Sequence, residues 1–160
     1  MLVFFAFNET SPAAAGTAAS SSPVTNTASY LPAGVAGPLD DVVYVGLTAE
    51  LVGATGGTLD VYMQTSPDEG ATWVDKVHFP QLANGAAAIK YHASIAPHPQ
   101  ATADTTIVVG ENLSPALAAN VVVQGLDFNR MRLVMVAGTS TSAGASVVVK
   151  VCGQRTRVSN

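Results

Sequence analysis

From Val42 to Val52 apolar and polar side chains alternate. Val43, Val45, Leu47, Ala49 and Leu51 fall on one side, and Tyr44, Gly46, Thr48 and Glu50 on the other. A period of two is that of a β-strand with one face in a core. The same pattern returns from Thr58 to Thr65, where Leu59, Val61 and Met63 oppose Asp60, Tyr62 and Gln64. Further strands are predicted over Ala71–Phe79, Ala86–Ile95, Thr105–Val109, Val121–Gln124, Arg130–Ala137 and Ala145–Cys152. The Ala-rich run before Ile95 also suits a short helix. Gly53–Gly57 and Asn84-Gly85 are turn signals, and Pro80 ends a strand because it lacks the ladder N–H. Helical periodicity is almost absent. Only Ser114–Ala119 suits a helical turn, with Ser114 as N-cap and Pro115 at the first helical position. About eight short strands, separated by turns every 8–12 residues or so, predict an all-β fold. The expected domain is an antiparallel β-sandwich, jelly-roll-like.

The chain ahead of Val42 follows no such pattern. Met1 to Phe7 is apolar but carries no basic residue, and Asn8-Glu9 interrupts it. That argues against a secretory signal and for a sticky strand. From Thr10 to Pro38 there is no charge at all, only Ala, Ser, Thr, Pro, Gly and a few others. Such a stretch buries too little apolar surface to offset its ordering entropy. The predicted organisation is an extended N-terminal arm over 1–39, a β-sandwich over 40–153 and a C-terminal tail over 154–160. Leu2, Val3, Phe4, Phe5 and Phe7 are the expected assembly contacts, anchoring the arm on a neighbouring subunit. The alternative is a linker that folds back on its own domain. On the arm reading, removing residues 1–38 weakens assembly and leaves the domain folded.

Composition sharpens this. Charged residues are 11% of the 160, against about 25% in ordinary soluble domains. A surface so poor in charge suits a subunit covered by other chains. The net charge of −4 offers no basic footprint for nucleic acid. No apolar run is long enough to span a membrane as a helix. Cys152 is the single cysteine, so no intrachain disulfide forms, and a buried strand position is its expected place.

Candidate chemistry is sparse. Ser66-x-Asp68-x-Gly70-x-Thr72-Trp73 matches the Asp-box pattern of sialidases and other β-propellers over eight residues. Asp68 is expected to accept hydrogen bonds from the turn, Gly70 to take a positive φ and Trp73 to lie over the hairpin base. There is one copy, in a structural role, with no arginine cluster for a sialic acid carboxylate. Asp40-Asp41 and Asp68-Glu69 are adjacent pairs whose side chains diverge, which does not suit glycoside hydrolysis. One turn supplies too few oxygens for calcium. His78, His92 and His98 lie in no metal-binding spacing, so zinc would need ligands brought together by the fold alone. No nucleophile elbow or phosphate loop occurs. Tyr44, Tyr62, Trp73 and Tyr91 are candidates for stacking on sugars, which keeps a carbohydrate-binding host-adhesion module as an alternative. No enzyme activity, cofactor, metal or small-molecule substrate is expected.

Three segments carry a resemblance: YVGLTAELVGATGGTLDVYMQTSPDEGATWVDKVHFPQL (Tyr44 to Leu82), LSPALAANVVVQG (Leu113 to Gly125) and FNRMRLVMVAGTSTSAGASVVVKV (Phe128 to Val151). Together they resemble small virion structural proteins of tailed bacteriophages, of the head and decoration type. The resemblance spans most of residues 42–152. It implies a β-sandwich that sits on or between capsid subunits as a cement protein at symmetry axes. Its implied partners are the major capsid protein and copies of itself, as a trimer, on the capsid surface of the virion. A tail, neck or collar component is the other virion role. No site residues carry over.

Overall fold

A computed structural model of the chain describes residues 2–12, 14–21, 24–25, 42–52, 57–66, 68–83, 90–95, 117–124, 130–139 and 146–155. The described strands are β1 (Leu2–Thr10), β2 (Ala18–Ser20), β3 (Val24–Thr25), β4 (Val42–Val52), β5 (Thr58–Ser66), β6 (Val74–His78), β7 (Leu82–Ala83), β8 (Lys90–Ile95), β9 (Val121–Val122), β10 (Arg130–Thr139) and β11 (Ser146–Arg155). They form two antiparallel sheets. The first runs β1-β11-β4-β8, and the second β2-β10-β5-β6-β9, with β3 also on β10 and β7 on β5. No helix occurs among the described residues. The fold is all-β, a β-sandwich.

The alternation that defines each strand also builds the core. Leu47, Ala49, Ala93, Ile95, Val147, Val149 and Val151 point inward from the first sheet. Leu59, Val61, Met63, Val77, Leu133 and Met135 meet them from the second. Two such faces interdigitate into a layer about 10 Å thick. Cys152 is buried on β11 and directs its thiol at the Gly46 carbonyl, 3.4 Å away. On one side of the sandwich, Gln124 after β9 donates to the Ser94 carbonyl of β8 at 3.3 Å, tying the two sheets together. On the other, the chain passes from β1 in the first sheet to β2 in the second within a few residues.

That crossing revises the expected arm. The described residues of 2–25 do not reach away from the domain. β1 pairs with β11 from Leu2↔Gly153 to Thr10↔Ser146, and β2 and β3 pair with β10. Phe7, expected as an assembly contact, is a core residue at 3% exposure. The strands holding Leu2, Val3, Phe4 and Phe5 also belong to this ladder; their side chains lie outside the described residues, as does everything over 26–41. The physical reason is the ladder itself. β11 has two edges, and without β1 a row of its N–H and C=O groups would lack protein partners. Of the two readings of this stretch, the described residues of 2–25 follow the one that folds back on its own domain.

Other boundaries shift less. β11 continues to Arg155, two residues beyond the expected end of the sandwich. β6 begins at Val74 because Ala71–Trp73 complete the preceding turn. The expected helical turn at 114–119 falls partly outside the described residues. Its described end, from Leu117, leads into a non-helical turn in which Asn120 has φ of 64°. The predicted strand over 105–109 also lies outside them.

Phe7→Ala tests whether β1 is part of the folding unit. The substitution is expected to cost about 3–5 kcal/mol in urea unfolding, the range for a buried Phe. A change below about 0.5 kcal/mol would restore the dispensable arm.

Candidate functional site

The hairpin from β5 to β6 holds both the predicted turn and an unpredicted layer of polar groups. In the turn, Ser66, Asp68, Gly70, Thr72 and Trp73 take the expected places. Asp68 Oδ1 accepts from the Ser66 hydroxyl at 2.8 Å and from the Thr72 N–H at 2.8 Å, while Oδ2 accepts from the Thr72 hydroxyl at 2.7 Å. Ser66 Oγ in turn accepts from the Gly70 N–H at 2.7 Å. Gly70 has φ of 98°, a region that disfavours any side chain. The carboxyl of Asp68 is held below the usual carboxylate range. The Thr72 N–H is the main cause, followed by the Thr72 and Ser66 hydroxyls. Both oxygens are engaged by the turn itself, so this is a structural hairpin.

The polar layer lies on the face of the second sheet that points away from the core. Asp60, Tyr62 and Gln64 of β5 stand there beside Asp75 and His78 of β6 and Arg132 of β10. Such a face normally meets water. Here Gln64 is 0% exposed, and Tyr62, Asp75, His78 and Arg132 are also buried. Part of the cover is the segment 117–124. The Leu117 N–H donates to Asp75 Oδ2 at 3.0 Å, and the Asn120 N–H donates to the His78 carbonyl.

Buried charges persist only when paired and hydrogen-bonded. Arg132 Nε and Nη2 both donate to Gln64 Oε1, at 2.8 and 2.6 Å. Gln64 Nε2 donates to Asp75 Oδ1 at 2.7 Å. One amide therefore links a guanidinium on β10 to a carboxylate on β6. The guanidinium carbon of Arg132 sits 4.2 Å from the ring centre of Trp73, a cation–π contact. Burial pulls Arg132 below the usual arginine range, and Asp75 opposes that shift. Beside them Tyr62 stacks on His78, with ring centres 3.8 Å apart. Burial pushes the Tyr62 phenol up, with Asp60 and Asp75 adding to the effect. A bulge admits Lys76 between Asp75 and Val77, and its Nζ reaches the Gln124 carbonyl at 3.5 Å.

Several sugar-stacking candidates are accounted for by this packing. Trp73 is buried under Arg132, Tyr62 is stacked on His78, and Tyr91 packs against the core. The side chain of Tyr44 lies outside the described residues. His92 is exposed on β8 of the first sheet, whereas His78 is buried on β6 of the second. No group of three or more His, Cys, Asp or Glu suited to a metal occurs among the described residues. Compared with known proteins, the chain matches no family model, no curated protein and no solved structure.

Two outcomes follow for the turn. Gly70→Val is expected to cost about 1–3 kcal/mol of stability, since a side chain there is strained at positive φ. Its Cβ would make an ordinary contact with the Arg130 guanidinium at 3.5 Å, so the cost lies in the backbone. Because the Asp68 carboxyl titrates lower when folded, its contribution is present above the ordinary carboxylate pKa of about 3.9 and is lost as pH falls through the folded value. Asp68→Asn should be less stable at neutral pH and lose part of this acid dependence, read from urea midpoints across the acid range.

Proposed function

We propose that this chain is a structural protein of a bacteriophage virion, a capsid decoration subunit that stabilises the assembled head. The sequence resemblance over residues 42–152 favours it. The observation that carries it is the outward face of the β1-β11-β4-β8 sheet. Register places Ala6, Asn8 and Thr10 beside Ser146, Val148 and Lys150, and these beside Thr48, Glu50 and Val52. Lys90, His92 and Ser94 complete the face. It is a broad surface of mostly short side chains, and one of its few charged groups, Glu50, is already paired with Lys90 at 3.1 Å. Val52 is the exposed large hydrophobic residue of the described set.

Charge economy points the same way. The chain has seven basic and eleven acidic residues, and Asp75, Lys76 and Arg132 are buried. What remains for the surface is less than the composition suggests. Interface centres are depleted in charge, and the cost of desolvation falls accordingly. A cement subunit acts by mass action, binding the assembled lattice and not its loose parts. Many copies make weak individual contacts sufficient. In this reading that face lies against capsid protein, and copies meet around the symmetry axes as trimers.

Two measurements test it. Quantitative mass spectrometry of purified particles should give hundreds of copies per virion; a small multiple of three or six would move the protein to the neck or tail. Thr48→Lys combined with Val148→Lys should leave the melting temperature within the range of ordinary surface changes yet prevent co-sedimentation with undecorated capsids. Normal binding by this variant would rule out the face.

A further inference from the structure

Among the described residues, a single buried side-chain nitrogen or oxygen lacks a hydrogen-bond partner: Nε2 of His78. The other ring nitrogen is fixed. Nδ1 lies 2.7 Å from the Leu117 carbonyl, which can only accept, so the proton sits on Nδ1. In the neutral ring the lone pair is then on Nε2. It faces another acceptor, Asp60 Oδ1, at 3.5 Å. Two acceptors so placed repel each other, and a positive centre between them turns the repulsion into chelation.

Two of the surrounding groups, His78 and Asp60, are of metal-ligating type, one short of a three-residue group of His, Cys, Asp or Glu. A histidine that donates its second N–H to a backbone carbonyl is held in the tautomer and orientation that ligation requires. Two ligand atoms about 2.1 Å from zinc at a tetrahedral angle stand about 3.4 Å apart, close to the separation seen here. A third donor is adjacent. The Gln81 side-chain amide lies 3.4 and 3.3 Å from the two Asp60 oxygens. Turning that amide over presents its carbonyl oxygen in the same place.

We propose that Asp60, His78 and Gln81 form a binding site for a divalent transition metal of the zinc class, completed by solvent. An imidazole with a carboxylate suits zinc and its neighbours; calcium wants six to eight oxygens or so. The side chain of His78 is 7% exposed and that of Asp60 25%, so the ion enters from the Asp60 side. All three ligands come from the β5–β6 hairpin and the corner after it. Through Leu117 the ion would lock the base of that hairpin to the segment covering the polar layer. None of this depends on which assembly the chain enters.

The test is zinc titration of the full chain, stripped with a chelator, at neutral pH. Calorimetry should show one site per chain, and the melting temperature should rise with zinc. Asp60→Asn should keep the fold, because its amide can donate to the Nε2 lone pair, and should lower zinc affinity by at least about tenfold. Gln81→Ala, at an exposed position, should weaken binding less. Absence of saturable binding in the wild type would overturn the site. So would equal affinity in Asp60→Asn, which would put the zinc elsewhere.

Discussion

A guanidinium and a carboxylate held out of water on the outer side of a sheet set the terms for much of this molecule. Arg132 and Asp75 lie on β10 and β6, with β5 between them. Leaving either without partners inside the protein would cost several kcal/mol. Gln64, on the strand between, serves both: its oxygen accepts from Arg132 and its nitrogen donates to Asp75. That bridge fixes the register of three strands at one level. It also explains why Trp73 must close the hairpin where it does, since its ring covers the guanidinium. The Asp68 turn then has a second purpose. By fixing the path from Ser66 to Thr72, it delivers Trp73 to Arg132.

The two sheets thereby divide the work. The second has a dry inner face and a covered polar outer face, so its central strands are enclosed on both sides. The first has a dry inner face and an outer face of short, mostly uncharged side chains. A domain with one internally covered sheet and one plain sheet is asymmetric in what it can offer a partner. On the proposed reading, that asymmetry suits a subunit that binds through one broad face, alongside a charge content of 11%.

How much of this could be read from the sequence depended on range. The strands with clean alternation, β4, β5, β10 and β11, were legible because a period of two reflects only local geometry. The Asp-box turn was legible because its hydrogen bonds close within four residues. The polar layer was not. Asp60, Tyr62 and Gln64 alternate as a solvent-facing row would, and nothing local tells that a segment around Leu117 covers them. Gln64 and Arg132 are 68 positions apart. The partner of β1 is hidden for a different reason. In Leu2–Phe7 both alternating sets are apolar, so the period disappears, and the uncharged run after it suggested an arm. Only the pairing with β11 shows that this strand belongs to its own sandwich.

β1 also bears on how the domain closes. With it in place, one polypeptide supplies an outer strand of the first sheet and then, through β2 and β3, partners for β10 in the second. The sandwich is therefore bridged on this side by covalent chain and on the other by Gln124 to Ser94. The plain face of the first sheet is held at both of its edges, by Phe7 in the core and by β8, and keeps its shape for whatever it meets.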